Sequence, residues 1–238
     1  MTTEAGASPR LCAVSVDLDE IPFYRQIHGL SSGERAGDHA VFDVALLRLE
    51  DFARALGIPL TFFVIGATLE RPDNARKLAE LASRGHELGN HTYGHKYELT
   101  RLDAAVMSDE VVQGELAIER ATGQKPVGFR APGYTVTDEL LGLLEHRGYL
   151  YDSSVFPCPL YWAAKKTAIS LIRLRGRKSH SVADTANVLR APARPYRIGH
   201  PYWERGGGLL ELPVQVTRGL RAPFIGTSLT VAGPLIAK

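Results

Sequence analysis

The chain has 238 residues, 45% hydrophobic and 23% charged, with a net charge of +2 and only two cysteines. That length supports one domain, residues 1–238, with a substantial core; the charge makes no case for a nucleic-acid partner, and Cys12 and Cys158 allow one bridge but no disulfide scaffold. No window reaches the length of a membrane span, and no basic segment followed by a long apolar run opens the chain, so cytoplasmic is the simplest location.

In chain order, the apolar run at residues 11–17 reads as a buried strand that ends at Asp17 and Asp19. Residues 20–39 read as a long loop punctuated by Gly and Ser. Val41, Val44, Ala45, Leu49, Phe52, Ala53 and Leu56 form a helical stripe closed by Gly57 and Pro59, and LTFFVIG (60–66) then reads as a strand. Asp73 is placed to cap a helix running to Arg84 and closing at Gly85. Another helix is expected over 109–122, stopped by Gly123 and Pro126. VGFRAP (127–132) is strand-like, Thr137 can cap DELLGLLEHR, and YLYDSSVF (149–156) extends again. Strands alternating with helices indicate βα units around a mainly parallel sheet, with chemistry at the C-terminal strand ends.

Residues 160–208 break this rhythm. KKTAISLIRLRGRKSH is basic and contains no acid. It reads as a solvated helix covering one end of a barrel; contact of residues 165–178 with an anionic glycan or lipid surface is the alternative. LLELPVQV (209–216) resumes strand character, and the last residues, LTVAGPLIAK, carry no stop signal.

The chemistry-bearing residues fall at predicted strand ends. His91 and His95, in GHELGNHTYGH, are four apart and can face the same way on one helical turn. Asp17 and Asp19, two apart, share one face of a strand. Two carboxylates projecting together are unfavourable unless a cation lies beside them. Asp19, His91 and His95 make two imidazoles and one carboxylate, the donor set of a catalytic zinc site with an open position. Arg130 ends another predicted strand, where its guanidinium can pair with Asp17 and orient it as a base. Tyr134, Tyr161, Trp162, Tyr202 and Trp203 offer the walls of a sugar subsite, or core.

The order of Asp-x-Asp, FFVIG, GHELGNHTYGH, RAPGY, YDSS and LELPV resembles the polysaccharide deacetylase family, the NodB-homology or carbohydrate esterase family 4 enzymes, over residues 11–216. The resemblance implies an α/β fold, a distorted (β/α) barrel with a mainly parallel sheet, here expected to be incomplete at the C-terminus. It implies a divalent metal, Zn2+ first, on Asp19, His91 and His95, with Asp17 as base. It further implies hydrolysis of carbon–nitrogen amide bonds, foremost N-deacetylation of a sugar or glycan. Leu18 separates the two aspartates and Gly133 separates the proline from Tyr134. The first departure is shared with the peptidoglycan deacetylase-like and allantoinase-like subgroup, and the second leaves the oxyanion-binding amide open between Gly133 and Tyr134. Asp152 is expected beside Arg130 or at the substrate. The family takes its acid from a histidine on a late strand. No histidine follows His200, so the acid is expected beyond the chain's end, with His200 or His180 as the alternative. Two other functions stay open: an allantoinase-like hydrolase of a cyclic imide or ureide, and a non-catalytic metal-containing glycan-binding protein.

Overall fold

Short extended runs, some of them rich in β-branched and aromatic residues, alternate with helices along the first 174 residues. The computed structural model describes residues 12–27, 29–30, 35–174, 176, 179–226, 228 and 230. The strands are β1 (Ser15–Asp17), β2 (Thr61–Val64), β3 (Glu87–Asn90), β4 (Gly128–Phe129), β5 (Tyr151–Asp152), β6 (Tyr196–Ile198) and β7 (Arg205–Glu211). They form one sheet in the order β1-β2-β3-β4-β5-β7-β6. Every neighbouring pair is parallel except β6–β7. The mainly parallel α/β reading therefore holds. Among the described residues the sheet stays open, with β1 and β6 as its edges.

Apolar helix faces explain how the layers pack. A turn of π-helix (Val41–Ala45) leads into α2 (Leu46–Leu56), whose Leu46 and Ala53 join Phe42, Leu18, Phe62, Val64, Leu78 and Ile118 in one buried cluster. Gly57, at φ 63°, ends α2 and donates its N–H to the carbonyls of Ala53 and Arg54, satisfying the last turn as a left-handed glycine can. The second cluster gathers Met107 and Val111 of α4 (Ala104–Thr122), Leu140, Leu141 and Leu144 of α5 (Asp138–His146), Phe129 and Ile198. Thr137 caps α5 as expected, its hydroxyl accepting the Leu140 N–H at 3.2 Å.

Several local expectations are corrected. The loop over 20–39 contains α1 (Ile21–Ile27). Helix α3 (Pro72–Ser83) starts with Pro72 in its first turn, so Asp73 lies inside the helix and favours its positive end without capping it. Helix α4 begins at Ala104, one turn before the expected 109. The basic stretch is helical in α6 (Pro159–Leu174), exposed along most of its length; Arg175, Arg177 and Lys178 lie outside the described residues. So do residues 231–238. Cys12 and Cys158 are both free.

Candidate active site

Strand register brings the polar residues together. Asp17 pairs with Phe63, Asn90 with Phe129, Phe129 with Asp152 and Asp152 with Glu211. The residues at and just beyond these C-terminal ends are therefore neighbours although they span two hundred positions of sequence. This is the end of a parallel sheet where side chains converge without backbone hydrogen bonds to satisfy.

Alternation continues past β1. Leu18 points into the core with no exposure, which leaves Asp17 and Asp19 on the opposite side. His91 follows β3 directly, its N–H on the Val64 carbonyl. The next residues do not continue as a helix, contrary to the expectation for the His91/His95 spacing. Thr92 (φ 64°) and His95 (φ 54°) are left-handed, and the Thr92 hydroxyl accepts the His95 N–H at 3.1 Å. This strained loop turns both rings the same way. Non-glycine residues at positive φ are uncommon and need their surroundings to hold them. Here the Thr92 N–H is held by Asn90 Oδ1 at 2.9 Å, and the Asn90 amide donates to Val111 O and Tyr149 Oη.

The two imidazoles meet nitrogen to nitrogen. His91 Nε2 and His95 Nε2 are 3.2 Å apart, and Asp19 reaches each at 3.4 Å through different oxygens. His91 Nδ1 lies 2.6 Å from the Arg130 carbonyl. A carbonyl cannot donate, so Nδ1 carries a proton there, and in the neutral ring Nε2 presents a lone pair. Asp19 Oδ1 and His95 Nδ1 are buried without a hydrogen-bond partner. Burial pushes the Asp19 carboxyl up, but the hydrogen bonds and charge of the two histidines outweigh it and hold it well below its ordinary value. Burial pulls His95 below its ordinary value; His91, opposed by the same burial, is raised by its hydrogen bond to Asp19. Facing lone pairs around a buried carboxylate fit a divalent cation, and the three residues each offer one atom within 4.8 Å of the others.

Alongside stands Asp17. Arg130 Nη1 donates to Asp17 Oδ1 at 2.6 Å, and Tyr134 Oη donates to Oδ2 at 3.1 Å. Arg130 is fixed in turn: Nε on Ser153 O, Nη2 on Ser15 Oγ and Ser153 Oγ, and its guanidinium 4.1 Å over the Phe63 ring. Gly133 and Tyr134 follow in a tight turn with φ values of 64° and 59°. The Tyr134 N–H donates to Ala131 O at 3.1 Å.

The structure does not bring every predicted residue to this cluster. Asp152 is fully buried and faces no substrate space; it accepts from the Ser154 hydroxyl at 2.6 Å, whose oxygen accepts the Ala131 N–H at 2.7 Å. It braces the backbone beyond Arg130. His200 is an exposed turn residue whose Nδ1 lies 4.0 Å from Asp138. None of its polar or ring contacts among the described residues reaches the cluster. His180 is likewise exposed and contacts Glu98 at 3.0 Å. Of the five aromatics, Tyr134 and Tyr161 pack edge-on beside the site, while Tyr202 is buried in the second core cluster.

Some participants escaped the sequence reading. Glu211, inside the quoted LELPV, is fully buried beside Asp152. Its Oε1 accepts the Val155 N–H at 3.0 Å. Burial, reinforced by the charge of Asp152, pushes Glu211 well above its ordinary value, and burial raises Asp152 beside it as well. An acid closing an apolar strand run was the available signal. Tyr24, on α1, donates to Asp19 Oδ2 at 3.3 Å, and Phe23 and Tyr97 set ring edges against His95.

The family model described as polysaccharide deacetylase matches residues 47–151, a stretch that includes His91, His95 and Arg130. Over that stretch the chain is similar to the polysaccharide deacetylases. A crystal structure from Mycobacterium smegmatis, assigned to the same enzymes, superposes with a TM-score of 0.61 at 25% identity, over 85% of this chain and 58% of that one. The peptidoglycan deacetylase of Helicobacter pylori is 29% identical over 155 residues, 61% of this chain and 49% of its own length. A peptidoglycan deacetylase-like protein of Gibberella zeae is 34% identical over 96 residues, 40% of this chain and 28% of its own. The chain thus spans half the length or less of these curated relatives. Among the described residues no helix is long and apolar enough to cross a membrane.

Proposed function

We propose that this chain is a metal-dependent N-deacetylase of an N-acetylated sugar or glycan, releasing acetate and a free amine. One observation carries the reading: a carboxylate held between two facing imidazole nitrogens lies two residues from a second carboxylate clamped by a buried arginine. Asp19, His91 and His95 are the residues that would hold the ion, Zn2+ by their chemistry. Bound there, a divalent cation would polarise the amide carbonyl and acidify a water.

The chain's own groups do the rest. Arg130 and Tyr134 each engage one oxygen of Asp17, which fixes the carboxylate plane while a lone pair on each oxygen stays available. Asp17 takes a proton from water as it attacks the acetyl carbon. With the Tyr134 N–H engaged by Ala131 O, the Gly133 N–H is the backbone donor left to face the developing oxyanion. The C–N bond breaks as the proton that Asp17 took from water passes to the leaving amine.

Metal analysis of the purified protein together with acetate release from N-acetylglucosamine oligomers, beside an allantoin assay, tests this reading. Bound metal with acetate released is the expected result. Allantoin turnover without acetate would replace it with ring-opening amide hydrolysis, and glycan binding without any turnover would reduce it to a binding function.

A further inference from the structure

We propose that Lys165, on α6, is a positioning residue for Asp17: its ammonium holds the Gly133 carbonyl, and through the Gly133–Tyr134 turn it keeps the Tyr134 hydroxyl on that carboxylate. The inference rests on the reading of Asp17 as base.

The contacts form an unbroken line. Lys165 Nζ donates to Gly133 O at 2.6 Å, a short charge-assisted bond. That carbonyl joins two consecutive left-handed residues, and Tyr134 pays steric strain for its φ of 59° that Gly133 does not. The turn needs an outside anchor, and Lys165 supplies one. Space is tight: a Cβ built on Gly133 would stand 3.1 Å from Lys165 Nζ and 2.8 Å from the Tyr97 ring. Tyr134 Oη then reaches Asp17 Oδ2 at 3.1 Å. Lys165 thereby turns a residue from a helix that otherwise looks solvated into part of the base's support.

The surroundings make the cation unusual. Burial lowers the Lys165 amine to about 8, with Asp184 opposing. The titratable groups facing it are Asp184, Tyr97, Tyr134 and Tyr161. Burial raises Asp184 to about 6, and burial pushes all three tyrosines upward, Tyr161 to about 12. Between pH 7 and 9 Lys165 is thus the member of this group that changes charge. Because its folded value lies below the ordinary 10.5, the unfolded chain binds more protons between about 8 and 10.5, and folding stability rises with pH across that window. A purely structural amine would therefore serve the fold better as pH rises, whereas the anchoring ammonium is lost.

The test compares wild type, Lys165→Met and Lys165→Arg in the full chain. Hydrogen exchange of the Tyr134 amide, bonded to Ala131 O, is followed from pH 6 to 10, together with kcat and KM for acetate release. In Lys165→Met the Tyr134 amide is expected to exchange about tenfold faster at pH 7, and kcat to fall about tenfold or more with KM within about twofold. Wild type should lose protection and kcat above about pH 8 beyond the intrinsic trend, and Lys165→Arg should keep both with that break removed. Tyr134 exchange in Lys165→Met within twofold of wild type across the pH range would overturn the proposal. If wild type turns over no acetylated substrate, the deacetylase reading fails, and the exchange comparison still decides what Lys165 holds.

Discussion

Replacing Arg130 with methionine tests the support of the proposed base most directly. Methionine keeps the stem that packs on Phe63 and removes the charge and every donor. The lost ion-pair bond to Asp17 is worth about 1.5–3 kcal/mol, and each bond from the guanidinium to an uncharged Ser15 or Ser153 oxygen about 1 kcal/mol or less once the hydroxyls rotate to other partners. Breaking a buried pair by removing one partner costs about 3–5 kcal/mol because the other charge is stranded. The Asp17 side chain keeps 17% exposure, so water offsets part of that. These figures overlap rather than add, and together they predict a loss of about 3–4 kcal/mol. Urea denaturation at pH 7 reads it as a fall in midpoint of about 1–2 M at unchanged slope. Adding Asp17→Asn removes the stranded carboxylate and should recover about 1–2 kcal/mol of the loss. Arg130→Met within about 0.5 kcal/mol of wild type, or a double variant no better than the sum of the singles, would refute the reasoning.

Three further outcomes are expected. His91→Ala or His95→Ala should lose bound metal and acetate release together, while Asp17→Asn keeps the metal by elemental analysis and loses about 10²–10⁴ in kcat. Glu211→Gln imitates a protonated carboxyl and should stay within about 1 kcal/mol of wild type, whereas Glu211→Ala leaves the Val155 N–H without its acceptor and opens a cavity, at a cost of about 2–4 kcal/mol. The folded Glu211 value is raised, so its contribution to stability is complete below its ordinary 4.5 and declines as pH rises above that; Glu211→Gln should lack this decline in a urea-midpoint series. Gly114→Ala should destabilise by about 1–3 kcal/mol despite better helix propensity, since its Cβ would lie 2.4 Å from Asn90 Oδ1 and 2.8 Å from the Thr92 carbonyl carbon. Gly142→Ala, an exposed helix position with nothing within 4 Å, should instead gain about 0.5–1 kcal/mol, which separates packing from propensity in the same thermal melt.

What could be read from sequence was residue chemistry at short range; what could not was set by long-range register. The alternation of Asp17, Leu18 and Asp19 is a local property of an extended chain, and it persists. The histidine spacing pointed to two rings that do meet, for a different geometric reason. Left-handed Thr92 and His95, not a helical turn, align the rings, and nothing in HTYGH announces positive φ at a threonine or histidine. Strand β3, ELGN, mixes charge with glycine and has little β-propensity of its own; pairing between β2 and β4 makes it a strand. At two residues each, β4 and β5 are shorter than any periodicity can detect. Lys165 sat in a basic run whose average reads as solvent-facing, and only the packing of α6 against the Gly133 turn distinguishes it.

The position of Arg130 explains why these separate features act as one site. Its side chain orients Asp17, while its backbone carbonyl takes the His91 ring proton and so fixes which nitrogen faces Asp19. Its N–H is held by the Asn90 carbonyl, the same residue whose side chain secures the strained Thr92. The next N–H, of Ala131, rests on Ser154, which leans on Asp152, the register neighbour of buried Glu211. A displacement of this one peptide would therefore disturb Asp17 and the imidazole pair together. Buried polar networks of this kind are stable only when every member is satisfied. The Nε2 atoms of His91 and His95, 3.2 Å apart with Asp19 3.4 Å from each, lie at the end of the network that faces the proposed cation. That placement is what a fold built to bind an ion requires: rigid satisfaction behind the ligands, and unmet demand in front of them.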